Sequence, residues 1–407
     1  MTSRPAASAA TRRRSSVVAQ KTTTVQSRKP SAWSSTSSSC SYAASNSTTS
    51  DPSSRRRAGM GQESSEHLAT DSEILRFLHD PFNIEPEMAG PLLQFPLDLY
   101  RRMRQEGGNV VLSPWYLACM LVTMYHGSGG TTRSQIARVL HTDDDGEIVA
   151  RFDSHASRLF CRDFHKPRHT HSAVTASTSD TVVILASVFC FGSRWFAVGG
   201  AHCSKGEFHP EYAGDDRGGA EVPTLSMTGT FRYAQFDKGN PFAGTVVDLP
   251  YQDPRRSLII FVPGSNSSLV EMERTLTAAT ILTCIGRLER RGLVTVTLPR
   301  MKVKCLTDLR HYLQPMGVTD AFNDTADFVN MARIVGLRLS AAKHLAVFRA
   351  GHKGPKVVSA EAVKEEAARI SGGENVFKIT VDRPFMFVVV ARDPDTVLML
   401  GSFTHII

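Results

Sequence analysis

Long apolar runs are what this chain lacks most plainly. No stretch reaches the roughly 18 apolar residues that a membrane helix requires, and Thr181 to Phe191 falls short. No apolar core of signal-peptide length lies near Met1. The seven cysteines, at positions 40, 119, 161, 190, 203, 284 and 305, are odd in number and form no CxxC pair. A disulfide framework is therefore not expected, and buried free thiols are. GxSxG, HExxH and Walker signatures are missing as well, so the chain does not read as an enzyme and no cofactor is expected. A surplus of one charge is also missing from most of the chain. The formal net charge is +8, but residues 1 to 70 hold ten Lys or Arg against three Asp or Glu and so account for +7 of it. The near-neutral remainder gives no reason to expect nucleic acid or an acidic membrane as a partner.

What the first 70 residues do hold is polar and repetitive. Thirteen of the twenty residues from Ser31 to Ser50 are Ser or Thr, and basic triplets stand at Arg12 to Arg14 and Arg55 to Arg57. Such a composition buries too little apolar surface to offset the entropy of ordering. Residues 1 to 70 are expected to be a disordered extension, and 71 to 407 the folded domain. The acid-poor start from Arg4 to Arg28 loosely suits an organelle transit peptide, although plain disorder is the preferred reading.

Beyond the extension, apolar spacing predicts a short helix over Ser72 to His79 and another over Leu92 to Met103, stopped by Gly107-Gly108. A short strand then runs into Ser113-Pro114, where the serine can cap and the proline can open the next helix. That helix is apolar on nearly every side and belongs in the core. His126-Gly-Ser-Gly-Gly130 lacks the lysine and preceding strand of a phosphate loop and reads as a turn between helices. Leu293 to Cys305 alternates, with Arg300, Lys302 and Lys304 on one face and Met301, Val303 and Cys305 on the other, as one half-buried strand does. Thr307 to Met316 reads as a short helix ended by Gly317, and Phe385 to Val390 and Val397 to Leu400 as strands joined by a turn. Helices between strands give a mixed α+β domain. Cys161, His165, His169 and His171 offer metal-type ligands within eleven residues. Their surroundings are loop-like, so solvated histidines are preferred to a metal site. Gly351 to Thr380, polar and lying between two apolar runs, reads as a long exposed loop.

Several segments, in order, resemble the serpin family of serine protease inhibitors. NVVLSPWYLACMLVTMYHGSGGTTRSQIARVLHTD looks like its opening helices, and DTVVILASVFCFGSRW like the central strand of its large sheet. EVPTLSMTGTFRYA and VVDLPYQDPRRSLIIFVPG resemble its small-sheet hairpin. LVTVTLPRMKVKCLTDLRHYLQPMGVTDAFNDTADF, LSAAKHLAVF, DRPFMFVVV and VLMLGSF complete a match over about residues 75 to 407. The resemblance implies a serpin-like α+β fold with a large mixed sheet, surrounding helices and an exposed reactive loop at about 351 to 380. In that family a serine-type protease cuts the loop, which then inserts as a strand in the sheet and drags the acylated protease with it.

Carried over residue by residue, the resemblance puts the hinge at Gly354, Pro355, Lys356 and Val357. The scissile bond falls at Ala368-Arg369 or Arg369-Ile370, and Arg369 suits a trypsin-like protease. Ser113, Ser187, Trp195 and His344 stand where the family supports its sheet, with Tyr116 also behind it. Pro355 has no N–H for a ladder, and an inserted loop in its register would carry Glu361 inward, so inhibitory competence is opposed at the hinge. AEAVKEEAAR, from Ala360, is rich in helix formers. Only 54 residues separate Leu140 from Trp195, too few for the helices and edge strands the family places there. Two classes stay open, an inhibitor of serine-type endopeptidases and a non-inhibitory binding or carrier protein. A monomer is expected, extracellular by resemblance, with the cytoplasm as the alternative. Arg287, Arg290, Arg291, Lys302 and Lys304 suggest a surface for a sulfated polysaccharide, for which a solvated face is the preferred account.

Overall fold

The computed structural model describes Ile84 and residues 89–142, 150–152, 170–177, 182–193, 195, 201–210, 219–237, 242–331, 336–351, 376–392 and 395–406. The Ser72 to His79 helix and the N-terminal extension lie outside the described residues, as do Cys161, His165 and His169 of the proposed ligand cluster.

A π-turn over Gly90–Gln94 leads into α1 (Phe95–Gln105), so the helix starts three residues later than its spacing suggests. It ends where Gly107 and Gly108 both take φ of +82°, a conformation in which a Cβ would be strained. After β1 (Val110–Leu112) come α2 (Pro114–Gly127) and α3 (Gly130–Val139), with Ser128 and Gly129 forming the turn between them. Ser113 caps α2 by accepting the Tyr116 N–H, and this helix is buried on nearly all sides, as its sequence requires.

The strands are β2 (Thr170–Ser177), β3 (Val182–Phe191), β4 (Ala201–Phe208), β5 (Ala220–Gly229), β6 (Arg232–Phe236), β7 (Gly244–Pro250) and β8 (Arg256–Pro263). Helices α4 (Leu269–Thr275) and α5 (Ala278–Gly286) follow, each opened by a hydroxyl capping box, at Ser268 and Thr277. Then come β9 (Glu289–Arg290), β10 (Val294–Pro299), β11 (Met301–Asp308), α6 (Leu309–Leu313), β12 (Arg338–Ala350), β13 (Phe377–Thr380), β14 (Phe385–Ala391) and β15 (Thr396–Phe403).

They form three sheets. One has seven strands in the order β1-β15-β14-β8-β7-β6-β9, all antiparallel, and its β14 and β15 are buried along their whole length. A four-stranded sheet runs β13-β10-β5-β4, and a second runs β11-β12-β3-β2. In the latter, the mixed sheet hereafter, β12 and β3 are parallel while the outer pairs are antiparallel; in the former, β13 and β10 are parallel as well.

Three readings of the sequence are corrected here. The single strand from Leu293 to Cys305 is two strands in different sheets, β10 and β11, parted at Arg300, whose N–H bonds the Pro223 carbonyl of β5 as the last rung of the β10 ladder before β11 pairs with β12. The buried positions change parity across the break, from Val294, Val296 and Leu298 to Met301 and Val303, while Arg300, Lys302 and Lys304 are exposed as expected. Glu221 to Ala234 is likewise divided between β5 and β6 of different sheets. The long loop is shorter at its end, because Phe377–Thr380 pairs in parallel with β10 as β13.

Candidate functional site

The site is the seam between β12 and β3. These strands run in register from Arg338 opposite Val182 to Phe348 opposite Phe191, with one shift between Leu339 and Ala341. Parallel neighbours distant in sequence meet only through crossover connections, so the seam is held by the ladder and by what packs behind it.

At its middle lies a buried polar row. Thr307 of β11, His344 of β12 and Ser187 of β3 stand opposite one another, and all three are buried. The Ser113 backbone N–H donates to His344 Nε2 at 3.0 Å. An amide can only donate, so Nε2 carries the lone pair and the ring proton sits on Nδ1, 2.6 Å from Ser187 Oγ, to which it donates. Ser113 Oγ in turn donates to the Leu398 carbonyl of β15 at 2.6 Å. One chain of hydrogen bonds thus joins both strands of the seam to the start of α2 and to the seven-stranded sheet. Burial without a charged partner pushes the His344 pKa down to about 3, so the imidazole is neutral.

Of the four residues expected to support the sheet, Ser113, Ser187 and His344 therefore come together. Trp195 does not join them. It bridges and stacks on Tyr251, with ring centroids 4.5 Å apart, and Tyr251 packs edge-on against Phe191 at 5.1 Å. Phe191 stacks on Phe348 and Phe348 on Phe387 at 4.4 Å, so an aromatic series closes the end of the seam where β12 finishes. Tyr116 lies behind the seam against Phe189, centroids 5.1 Å apart. Tyr251 and the Leu398 carbonyl were not legible as parts of the site. A lone tyrosine in a turn and a backbone acceptor carry no sequence signal.

The chain leaves the seam at Gly351, where φ is +79° and an added Cβ would lie 2.9 Å from the Arg300 side chain. Glycine is required at this exit. The chain is described again from Val376, just before β13 in a different sheet. The hinge residues Gly354, Pro355, Lys356 and Val357, and Ala368, Arg369 and Ile370 around the expected scissile bond, lie outside the described residues. What the structure fixes is that residues 352–375 connect the seam strand β12 to β13.

The five basic residues do not share one sheet. Arg290 lies on β9 of the seven-stranded sheet, while Lys302 and Lys304 lie on β11 of the mixed sheet. Arg291 is paired with Glu289 at 2.9 Å. His171 of the metal-type cluster is on β2; among the described residues no group of His, Cys, Asp and Glu suits a metal. The described cysteines, 119, 190, 203, 284 and 305, are all free thiols.

The family model described as serpin, serine protease inhibitor, matches residues 92–177 and 167–406. Among curated relatives, Iris of Ixodes ricinus is 24% identical over 389 residues, covering 79% of this chain and 100% of its own length. Serpin B8 of Homo sapiens is 24% identical over 379 residues, covering 76% of this chain and 97% of its own. Among solved structures, uncleaved ovalbumin superposes with a TM-score of 0.60 at 17% identity, over 78% of this chain and 100% of that one. The last likeness shows the fold.

Proposed function

This chain belongs to the serpin family, and from that membership we propose that it acts on a trypsin-like serine protease by offering residues 352–375 as bait. The observation that carries the reading is the seam. β12 and β3 lie side by side as parallel strands, and the segment that follows β12 directly is 24 residues long. A strand matching the ten residues of β3 needs fewer than half of them. Cleavage at Ala368-Arg369 or Arg369-Ile370 frees the segment to enter the seam as an added strand, antiparallel to β12. Entry requires β12 and β3 to part, and therefore the bond between His344 and Ser187 to break. The protein supplies no catalytic group. Its part is to hold the bait and to exchange one ladder for two.

A second reading, a non-inhibitory binding or carrier protein, is favoured by Pro355 and Glu361 at inserting positions. Proline cannot join a central ladder, and an inward glutamate costs several kcal/mol unless it protonates. Incubation with trypsin followed by a denaturing gel separates the two. A stable covalent complex is expected of the inhibitor; clean cleavage beside Arg369 with no complex overturns it in favour of the second reading. In that case Pro355→Thr should restore some complex if the hinge is the obstacle.

The compartment we assign is extracellular. Asn266 and Asn323 head Asn-x-Ser/Thr sequences and both are exposed, which fits glycosylation in a secreted protein.

A further inference from the structure

A cavity of about 280 Å³ lies where the end of α1, the start of β1, the second half of β11 and α6 meet. All of its lining residues belong to the described stretches. It shares Thr307 with the polar row of the seam but none of that row's other members. At about 30 Å³ for each water of the liquid, it has room for about nine non-hydrogen atoms. Met103 and Val110, both buried, form its floor, and Cys305 and Tyr312, partly buried, stand beside them. Leu306 lies at the mouth and is 66% exposed, more than any other large apolar side chain among the described residues.

The mouth is also acidic, because Glu106 and Asp308 both line it and both are exposed. Asp308 Oδ1 accepts the Arg310 N–H at 3.1 Å and so caps α6. Glu106 stands at the C-terminal cap of α1, where the aligned peptide dipoles favour a cation and oppose a carboxylate. Its ion pair among the described residues is with His311 Nε2 at 3.4 Å, and the Glu106 and His311 side chains are 58% and 70% exposed. A pair so exposed is worth little. Burial raises the pKa of the Cys305 thiol, and burial and Glu106 raise that of the Tyr312 phenol, so both groups stay neutral.

The geometry points to a binding site for a small arylalkyl ammonium ion, with its ring between Met103, Val110 and Leu306 and its charge at the mouth beside Glu106 and Asp308. An ammonium there answers two carboxylates and a helix C-terminus at once, and it offers Glu106 a stronger partner than His311. The ring takes up apolar surface, including much of the exposed Leu306, and meets the sulfurs of Met103 and Cys305 and the Tyr312 ring. An anion would be repelled at the mouth. A neutral molecule of the same shape would gain the floor but not the charge, and an alkylammonium without the ring would gain the charge but not the floor. Most of the affinity therefore requires both halves of the ligand.

The test is calorimetric titration of the full chain with phenethylamine near neutral pH, where the amine is a cation. A Kd of about 0.1 to 1 mM is expected for a ligand of this size. The neutral isostere 2-phenylethanol and the ringless ethylamine should each bind at least about tenfold more weakly. Glu106→Gln should weaken the amine about tenfold and leave 2-phenylethanol unchanged, a split that misfolding does not produce. Leu306→Lys puts a second cation at the mouth and should weaken the amine by at least as much. Both positions are exposed, so neither change removes packing from the core. No binding of phenethylamine at about 10 mM, equal affinity for 2-phenylethanol, or an amine affinity unchanged in either variant would each overturn the inference.

Discussion

β12 of the mixed sheet and β14 of the antiparallel sheet are both central strands, joined through the Phe348 and Phe387 stack, yet they are held by different physics. β14 reads Phe-Met-Phe-Val-Val-Val-Ala and is buried throughout, so its stability comes from area and packing. β12 carries at its middle a buried imidazole that needs two particular partners. Apolar burial is indifferent to pH and tolerant of small shifts. A buried polar row is stable only in one arrangement and costs heavily when a partner is lost. The contrast separates a sheet held by apolar area from a seam held by one arrangement of hydrogen bonds.

The largest expected effect that would sharpen this contrast is acid destabilisation through His344. Folding lowers its proton affinity from the ordinary 6.5 to about 3. The stability it contributes is complete above about pH 6.5 and is lost as pH falls toward 3, because the unfolded chain takes up a proton that the folded chain refuses. At the acid limit the loss is on the order of 5 kcal/mol, at about 1.4 kcal/mol per pH unit. Urea unfolding at several pH values should show this slope, and His344→Gln should reduce it by one proton. An unchanged slope in the variant would mean that the seam is not the pH-sensitive element.

Next in size is Phe387→Ala on β14. The ring is fully buried, stacks on Phe348, and leaves so little room that a Cβ on Gly401 would lie 2.7 Å from it. Removing it should cost about 3–5 kcal/mol. Unlike the His344 change, it should shift the unfolding midpoint equally at every pH between 3 and 6.5. A pH-dependent loss would break the comparison.

How much of this was legible beforehand differs by region. Strands such as β14 and the capped helix α2 were plain because their signals are local: an apolar run, and Ser-Pro before a buried helix. The division of Leu293 to Cys305 was overlooked because Arg300, Lys302 and Lys304 alternate cleanly with Met301, Val303 and Cys305, although the apolar positions change parity between Leu298 and Met301. The seam's membership was half legible. His344, Ser187 and Ser113 emerged from family resemblance, while their bonding rests on a backbone N–H and a strand register that no periodicity encodes. Trp195 was placed with them by the same resemblance, and the structure seats it on Tyr251 at the seam's end instead.

The smallest predicted effect tests the polar row most directly. In Ser187→Ala the Nδ1 proton of His344 loses its acceptor. The ring cannot answer by moving that proton to Nε2, because the Ser113 amide already points its own hydrogen there. A buried donor is left unsatisfied, at a cost of about 1–3 kcal/mol. A double-mutant cycle with His344→Gln then asks whether the loss belongs to the pair. If it does, the two changes should fall short of additivity by on the order of 1 kcal/mol. Strict additivity would mean that Ser187 stabilises β3 on its own account, and that the seam closes by its ladder alone.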